Sequence, residues 1–414
     1  MLKRTLDNFE AKHVRNRTEV FHALGYIGSL DVRKLSEALA LLAIRYPIVS
    51  ARVRFERDGI ELYSPRNSCP TLNVADGGRE LLKSEFERPI ELSKEVLRFA
   101  LVRGNTGGFV AVKTNHAFFD GHHLWAVLDF LWKLYADLVN GVTPVVESGQ
   151  SLPASPSSLL NRHWGGIPIL TKDGNLEKVI SDNSNHIQKM AMGFDDQTKY
   201  DQCVDQICLS EAETSRLLDY ARFNKITLSG LLAGLFLIAQ RAVIQQVFKP
   251  RVDEIPMRFS SVVDIRKHVS PAVGNADVTN FFLYHTANVT VCSKSDPIMI
   301  GRNVVDQLAC AIERRAGLVF RELHEVPFGD SLLEHLSAAQ CSSAGIVPEF
   351  VVPGTMRFTE YVNFISPNSN SARVPIPMYR VYTYNRRLTI LVTAPKEVAP
   401  YLVDEIGKRL RATG

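Results

Sequence analysis

The chain has 414 residues, of which 45% are hydrophobic and 22% are charged. At roughly 150 residues per domain, this length predicts two or three domains, and the apolar content excludes an intrinsically disordered chain. The net charge of +4 is small and the basic residues are scattered, so the composition does not indicate nucleic-acid binding.

In the first half of the chain, hydrophobic periodicity predicts two helices, a hairpin and two further strands. Asp31 is a suitable N-cap for the first helix, and Pro47 ends it. The predicted elements are a helix at 32–46, a hairpin of 48–55 and 60–63, strands at 99–103 and 108–114, and a helix at 124–139. Prolines, serines and a glycine make 143–158 the best candidate for a linker.

In the second half, Ser210 and Glu213 form a capping box, and Pro297 occupies the favoured first position of a helix. The predicted elements are a strand at 204–209, helices to about 223 and at 228–248, strands at 257–264 and 281–291, a helix at 297–314, a hairpin of 379–384 and 388–393, and a helix at 398–410. Strands and helices alternate irregularly in both halves, so the sequence predicts two α/β (α+β) domains of similar size. We expect them at 1–160 and 201–414, with a linker or crossover at 161–200.

The cysteines and the apolar runs bear on location. Six cysteines occur without a Cys-x-x-Cys pair, and the spacing of Cys203 and Cys208 does not suit zinc. This usage is typical of reduced cytoplasmic thiols. The first residues lack the apolar core of a signal peptide, and the longest apolar run, 228–239, is too short to span a bilayer. We therefore expect a cytoplasmic monomer without stable membrane insertion.

The candidate catalytic residues lie in one stretch, the ten residues TNHAFFDGHH at 114–123. His116 ends a predicted strand, a short loop follows, and a helix begins at once, which is a common position for catalytic groups. An imidazole titrates near neutral pH and therefore suits general-base work. Asp120 lies four residues further on, and Gly121 permits an unusual backbone angle there.

Three interpretations of this stretch compete. In the first, His116 is a core histidine with its hydrogen bonds satisfied, and Asp120 caps the helix. In the second, His116, Asp120, His122 and His123 bind a metal, although adjacent histidines diverge by about 100° on a helix. In the third, His116 is a catalytic base and Asp120 is structural.

The stretch 115–121, NHAFFDG, resembles the HHxxxDG signature of the thioester-dependent acyltransferases. This superfamily includes chloramphenicol acetyltransferase, nonribosomal peptide condensation domains, plant alcohol acyltransferases and mycobacterial polyketide-associated acyltransferases. The second, catalytic histidine of the motif maps to His116, and Asn115 replaces the first.

The resemblance extends along most of the chain. Residues 28–53 look like the opening helix of the superfamily, and 261–266 (SVVDIR) look like its VDLR segment, with matches at Asp264 and Arg266. Residues 273–275 and 279–282 are similar to the segment that follows. The sequence DGHH before an apolar helix is especially similar to the mycobacterial group that esterifies phthiocerol diols, whereas the DFGWG signature of the plant branch is absent.

The resemblance implies two chloramphenicol-acetyltransferase-like domains in a V, with an active-site tunnel between them and His116 in the middle. It implies no permanently bound cofactor and no metal. The co-substrate is acyl-CoA or a phosphopantetheinyl acyl-carrier protein, and the acceptor is a small-molecule alcohol or amine. His116 takes the acceptor proton, backbone N–H groups near Gly121 or a side chain stabilise the oxyanion, and transfer is direct. Asp120 pairs with an arginine of the second domain, for which Arg266 is the candidate.

Further residues are weaker candidates. The resemblance suggests that Asn280 orders the loop, and that Asn363 or Ser366 contacts the oxyanion or the acceptor. His122 and His123 are expected to start the helix, and the aromatic residues 118, 119 and 125 to pack in the core or the tunnel wall. The basic segment 251–267 is either a solvated face or a docking site for a phosphopantetheine phosphate or an acidic carrier protein.

The favoured function is an acyltransferase that forms an ester in polyketide, lipid or other secondary-metabolite tailoring. The second is a free-standing condensation enzyme that forms an amide by the same mechanism. The third is a non-catalytic relative that binds a carrier protein, against which the intact motif at 116–121 argues.

Overall fold

Two compact units make up the chain, and they interleave along the sequence. The computed structural model describes residues 1–163, 202–248, 253–313, 339–365 and 377–413. Unit 1 comprises Met1–Gly166, Arg266–Phe281 and Val347–Ser369, and unit 2 comprises Ile167–Ile265, Phe282–Ile346 and Asn370–Gly414. The predicted two-domain α/β class is confirmed. The predicted domain limits treat each domain as one continuous stretch, whereas two segments from the second half of the sequence belong by their contacts to unit 1.

Unit 1 contains two sheets with helices packed on them. Its strands are β1 (Leu2–Thr5), β2 (Glu19–Gly28), β3 (Arg52–Glu56), β4 (Gly59–Ser64), β5 (Thr71–Asp76), β6 (Leu97–Arg103), β7 (Gly107–Asn115) and β12 (Met356–Ile365). Its helices are α1 (Asn8–Arg15), α2 (Val32–Arg45), α3 (Glu80–Glu87), α4 (Gly121–Val139) and α5 (Pro156–His163). The small sheet has the order β1-β4-β3 and the large sheet the order β12-β2-β7-β6-β5. Only the β5–β6 pairing in the large sheet is parallel.

Local signals explain several elements of unit 1. The side chain of Asp31 accepts a hydrogen bond from the Lys34 N–H at 3.0 Å and starts α2, as predicted. The predicted hairpin strand from residue 48 is wrong in its first part, because Pro47–Ser50 form a turn of 3₁₀ helix. Proline fixes the backbone angle that such a turn needs, so β3 begins only at Arg52.

Unit 2 has one six-stranded sheet covered by helices. Its strands are β8 (Gln202–Cys208), β9 (Ile255–Asp264), β10 (Phe282–Val291), β11 (Ala339–Ile346), β13 (Met378–Tyr384) and β14 (Arg387–Pro395), in the order β10-β9-β11-β13-β14-β8. Its helices are α6 (Glu211–Phe223), α7 (Leu228–Phe248), α8 (Pro297–Glu313) and α9 (Ala399–Ala412). Strand β11 runs parallel to both of its neighbours, β9 and β13, and the other pairings are antiparallel.

The elements of unit 2 follow their local sequence closely. The predicted capping box is present, because Ser210 Oγ accepts from the Glu213 N–H at 3.2 Å and the Glu213 carboxylate accepts from the Ser210 N–H at 2.8 Å. The predicted β13–β14 hairpin turns at Asn385 and Arg386, whose φ angles of 46° and 60° are those of a tight primed turn. A Cβ on Gly234 of α7 would lie 2.0 Å from the Pro297 carbonyl oxygen, so close packing of α7 on α8 requires glycine there.

Helix α7 is the most apolar helix among the described residues. By length and composition alone, its residues 228–246 could cross a membrane, yet 72% of the most apolar window is buried inside the protein. The helix packs in one cluster with side chains of the unit 2 sheet and of α6, α8 and α9. This is the environment of a core helix, as the sequence predicted.

Candidate active site

His116 directly follows β7, and its backbone position is fixed from two sides. Its N–H donates to the Thr18 carbonyl at 2.7 Å, and its carbonyl accepts from Asn280 Nδ2 at 2.7 Å. The ring atom Nδ1 lies 3.1 Å from the carbonyl oxygen of Phe119. Because a carbonyl only accepts, Nδ1 carries the proton in this contact, and Nε2 is the atom with the lone pair. The His116 side chain is partly exposed, whereas its loop neighbours are buried. A neutral imidazole with this tautomer can accept a proton at Nε2.

Asp120 caps α4 and is held by three donors. Its Oδ1 accepts from the His123 N–H at 2.9 Å, and its Oδ2 accepts from the Phe281 N–H at 2.9 Å and from Arg266 Nη2 at 2.8 Å. Both charged side chains are buried, with 9% of the Asp120 and 2% of the Arg266 side chain exposed. Burial alone would raise the pKa of the Asp120 carboxyl, but the Arg266 charge and the two N–H groups outweigh it, and the pKa is lowered. The carboxylate is therefore ionised at neutral pH and suits a structural role.

The segment that carries Arg266 belongs by its contacts to unit 1, and not to the second domain as sequence order suggested. The ion pair between Asp120 and Arg266 therefore joins two parts of one unit that lie 146 residues apart in the chain. The pair fastens the 266–281 segment to the loop that carries His116.

Gly121 departs from the sequence expectation. It is the first residue of α4 and does not adopt the positive φ that a glycine permits. Apart from its neighbours in the chain, a Cβ built on it would meet no atom of the described residues within 4 Å. Neither backbone strain nor crowding by the described residues therefore requires glycine at this position, and the space beside the start of α4 is open.

Two asparagines hold the main chain around His116. Asn280 is fully buried and donates to the His116 carbonyl. Asn115 occupies the position of the first motif histidine, and its Oδ1 accepts from the Ala117 N–H at 3.0 Å. Its Nδ2 donates to the carbonyl of His13 in α1 at 3.4 Å. Both side chains thus bind backbone atoms, and they order the loop on either side of the imidazole.

The two histidines at the start of α4 differ in environment. His123 is fully buried, stacks on Phe119 with ring centroids 4.7 Å apart, and directs Nδ1 to the Thr279 carbonyl at 3.4 Å. Burial lowers the pKa of His123 to about 4, so its ring is neutral at pH 7. The His122 ring meets Trp125 edge-on at 5.4 Å. Within the described ranges, no three histidine, cysteine or acidic side chains are grouped as metal ligands, so the metal interpretation has no geometric support there.

Comparisons with known proteins bear on both units. Residues 201–393 match the family model described as phthiocerol/phthiodiolone dimycocerosyl transferase C-terminus. A phthiocerol/phthiodiolone dimycocerosyl transferase of Mycobacterium ulcerans is 23% identical over 254 residues, which are 61% of this chain and 59% of that protein. The enzyme of the same name from Mycobacterium leprae is 21% identical over 322 residues, or 75% of each chain.

The predicted resemblance is confirmed. Among solved structures, polyketide synthase associated protein 5 from Mycobacterium tuberculosis superposes with a TM-score of 0.76 at 18% identity, covering 99% of this chain and 97% of that one. The first condensation domain of the CDA synthetase gives a TM-score of 0.66 at 14% identity, covering 100% and 97%. At these identities the structural likeness establishes the fold, which is that of the condensation and acyltransferase proteins.

Asn363 lies inside β12. It belongs to a buried polar network in which its Nδ2 lies 3.2 Å from His22 Nδ1 and 3.3 Å from the Tyr361 hydroxyl. The Tyr361 hydroxyl also accepts from Trp125 Nε1 at 3.1 Å and contacts His22 Nδ1. This network packs β2 and β12 against α4, and the oxyanion role suggested for Asn363 stays a prediction. Ser366 lies outside the described residues.

In the described part of the basic segment 251–267, which begins at residue 253, the chain is not a fully solvated face. Of its arginines, Arg258 is 6% and Arg266 is 2% exposed. Burial lowers the pKa of Arg258 to about 10, and its Nε donates to Asn288 Oδ1 at 3.0 Å. Arg258 and Arg266 are therefore buried and hydrogen-bonded within the protein, and neither faces solvent.

The sequence did not predict a buried polar cluster around Glu10 that contacts the loop carrying His116 and Asp120. Glu10 of α1 is fully buried and accepts from both terminal nitrogens of Arg4 at 2.7 Å and from Thr279 Oγ1 at 2.6 Å. Burial raises the pKa of the Glu10 carboxyl more than Arg4 lowers it. The carbonyl oxygen of Thr279 in turn accepts a hydrogen bond from the Asp120 N–H at 3.3 Å. The one local signal was the capping box of Asp7 and Glu10.

Proposed function

We propose that this chain is an acyltransferase that moves an acyl group from a CoA or acyl-carrier-protein thioester to an alcohol, with His116 as the general base. The observation that carries the proposal is the contact between His116 Nδ1 and the Phe119 carbonyl, which assigns the lone pair to Nε2 on a partly exposed ring. The similar proteins support the class, since two relatives are named dimycocerosyl transferases and polyketide synthase associated protein 5 shares the fold.

The proposed reaction needs no covalent enzyme intermediate. Nε2 of His116 accepts the proton of the acceptor hydroxyl while the hydroxyl oxygen attacks the thioester carbonyl carbon. The tetrahedral intermediate then collapses, the carbon–sulfur bond breaks, and the His116 imidazolium returns the proton to the thiolate. The products are an ester and a free thiol, and His116 is neutral again. The Phe119 carbonyl accepts from Nδ1–H throughout and stabilises the imidazolium while it exists.

The start of α4 supports a proposal for the oxyanion. The first N–H groups of a helix have no acceptor inside the helix, and they lie at the positive end of its dipole. The Asp120 carboxylate accepts a hydrogen bond from the His123 N–H. At Gly121, the space that a Cβ would enter is open among the described residues. The backbone N–H of Gly121 is therefore our candidate donor to the developing oxyanion.

An alcohol acceptor is favoured by the activities for which the similar proteins are named. The dimycocerosyl transferases are similar in sequence, and a trichothecene 15-O-acetyltransferase from Fusarium sporotrichioides shares the fold with a TM-score of 0.72 at 13% identity. An amide-forming condensation activity is the second candidate, because condensation domains share the fold as well. One such domain was solved in complex with C8-CoA and Leu-SNAC, which supports octanoyl-CoA as a first donor to test. The proposal includes a cytoplasmic location, where six unpaired thiols stay reduced.

A thiol-release assay tests the proposal. The chain is mixed with acetyl-, octanoyl- or palmitoyl-CoA, or with an octanoyl-carrier protein, and with a long-chain secondary alcohol or a primary amine. We expect thiol release that depends on the acceptor, and mass spectrometry should identify an ester with the alcohol. An amide with the amine alone would favour the condensation candidate. No release with any donor would contradict the acyltransferase and favour a role in binding carrier protein.

A further inference from the structure

A second imidazole lies against His116. His13 is in the last turn of α1, and its ring centroid is 5.2 Å from that of His116, with the ring planes tilted by 49°. This separation is within the range of packed aromatic pairs. On its other side, His13 meets the Phe9 ring edge-on at 4.9 Å. His13 therefore lies between a buried core residue and the candidate base.

The helix that carries His13 is firmly anchored. Asp7 caps α1 through the Glu10 N–H at 2.8 Å, and its other oxygen accepts from the Ser157 N–H at 2.9 Å. The buried Glu10 carboxylate ties the same helix to Arg4 and Thr279. These contacts fix the N-cap and the first turn of α1, the helix whose last turn presents the His13 ring.

The residue before His116 is also linked to His13. Asn115 stands where the motif of similar proteins has a histidine, and its side chain is used on the backbone of Ala117 and His13. The second imidazole of the site thus comes from α1, and not from the neighbouring position in the motif. The contact between Asn115 Nδ2 and the His13 carbonyl holds α1 beside the strand end that carries His116.

We propose that His13 is a positioning residue for His116, and this inference rests on the proposed function of His116. The His13 ring packs on the His116 ring and keeps it at the angle at which Nδ1–H donates to the Phe119 carbonyl. Without that packing the His116 ring is free to rotate, and the lone pair of Nε2 is no longer held toward the acceptor.

Three variants separate ring packing from polarity. His13→Ala removes the ring, His13→Phe keeps an aromatic ring without nitrogen atoms, and His13→Gln keeps a polar chain without a ring. The control is Arg15→Ala, an exposed basic residue in the same helical turn. We measure kcat and KM with octanoyl-CoA and a long-chain alcohol, the melting temperature, and the His116 tautomer from nitrogen-15 NMR of histidine-labelled protein.

We expect His13→Ala and His13→Gln to lower kcat about tenfold or more, with KM changed less than about twofold, because misplacing a reacting group is costly. His13→Phe should stay within about threefold of wild type, as should Arg15→Ala. The NMR signals of His116 should show the Nδ1–H tautomer in wild type and His13→Phe, and a mixture of tautomers in His13→Ala. If His13→Ala does not fold, the contrast between His13→Phe and His13→Gln decides the same question.

Unchanged kcat in His13→Ala or His13→Gln would overturn the inference, as would His13→Phe losing as much as His13→Gln. If either result is found while the wild type is active and His116→Ala is inactive, His116 is still the base and only the role of His13 is refuted. Failure of the inference can thus be told apart from failure of the proposed function. If the wild type releases no thiol with any donor, the proposed function fails, and the tautomer measurement still decides the inference. A His116 tautomer that is the same with and without the His13 ring would overturn it.

Discussion

Replacing Asp120 by asparagine removes one negative charge and turns one acceptor oxygen into an NH2 donor. The carboxylate oxygens accept from the His123 and Phe281 N–H groups and from Arg266. Asparagine has the same shape and is also a good N-cap, so the cap of α4 is retained. What is lost is the counter-charge of Arg266, whose side chain is 2% exposed, and the acceptor shared by Arg266 and the Phe281 N–H.

The expected loss of unfolding free energy is about 3–5 kcal/mol, the cost of leaving one partner of a buried ion pair without the other. Its source is the Arg266 guanidinium, which stays buried with an amide in place of a carboxylate. A matched control is Asp31→Asn at the start of α2, where the aspartate caps the Lys34 N–H at an exposed position. This variant should change stability by less than about 0.5 kcal/mol.

Urea unfolding with tryptophan fluorescence is a suitable assay, because Trp125 and Trp132 both lie in α4 of unit 1. A double-mutant cycle with Arg266→Met isolates the pair, since both single variants break it and the double variant removes both charges. We expect the double variant to be more stable than the sum of the two single losses predicts. A loss in Asp120→Asn no larger than that in Asp31→Asn, with additive effects in the cycle, would refute the reasoning.

The remaining predictions concern pH, the buried network and one cap. Since the pKa of Asp120 is below its ordinary 3.8, its contribution to the free energy of unfolding is complete above about pH 5 and is lost as the pH falls through the folded-state pKa. The stability curves of wild type and Asp120→Asn should therefore converge in acid. Tyr361→Phe removes the acceptor of Trp125 Nε1 and should lower the stability of unit 1 by about 1–3 kcal/mol in urea; unchanged stability would exclude an energetic role for this bond. Ser210→Ala should cost unit 2 about 1 kcal/mol by circular dichroism, whereas Ser210→Asn should restore most of it.

Elements with strong local signals could be predicted from the sequence. The limits of α7 are those predicted, and α2, α6 and the β13–β14 hairpin differ from prediction by only a residue or two, because caps, apolar periodicity and turn residues all act within a few positions. Strand β2 was missed although it lies inside the large sheet of unit 1. Its first eight residues are all buried, so the alternation of polar and apolar residues that marks a half-buried strand is absent.

In the candidate site, too, residues within a local motif could be predicted, whereas residues brought together by long-range contacts could not. His116 and Asp120 could be found because they lie within one short motif, and resemblance to a family pointed to Arg266. The bond from Thr279 to Glu10 joins residues 269 positions apart, and no local pattern reports such a contact. The contact between His13 and His116 likewise depends on how α1 packs, so only the folded chain reveals it.

The central claim is that His116 performs the chemistry and does not merely support the fold. The most direct test is acceptor-dependent thiol release by purified His116→Ala beside wild type, with the melting temperature of both. The account predicts that release falls to background, while melting changes by no more than about 2–4 °C, the equivalent of one hydrogen bond in a chain of this size. Turnover at the wild-type rate in a clean, folded His116→Ala preparation would contradict it.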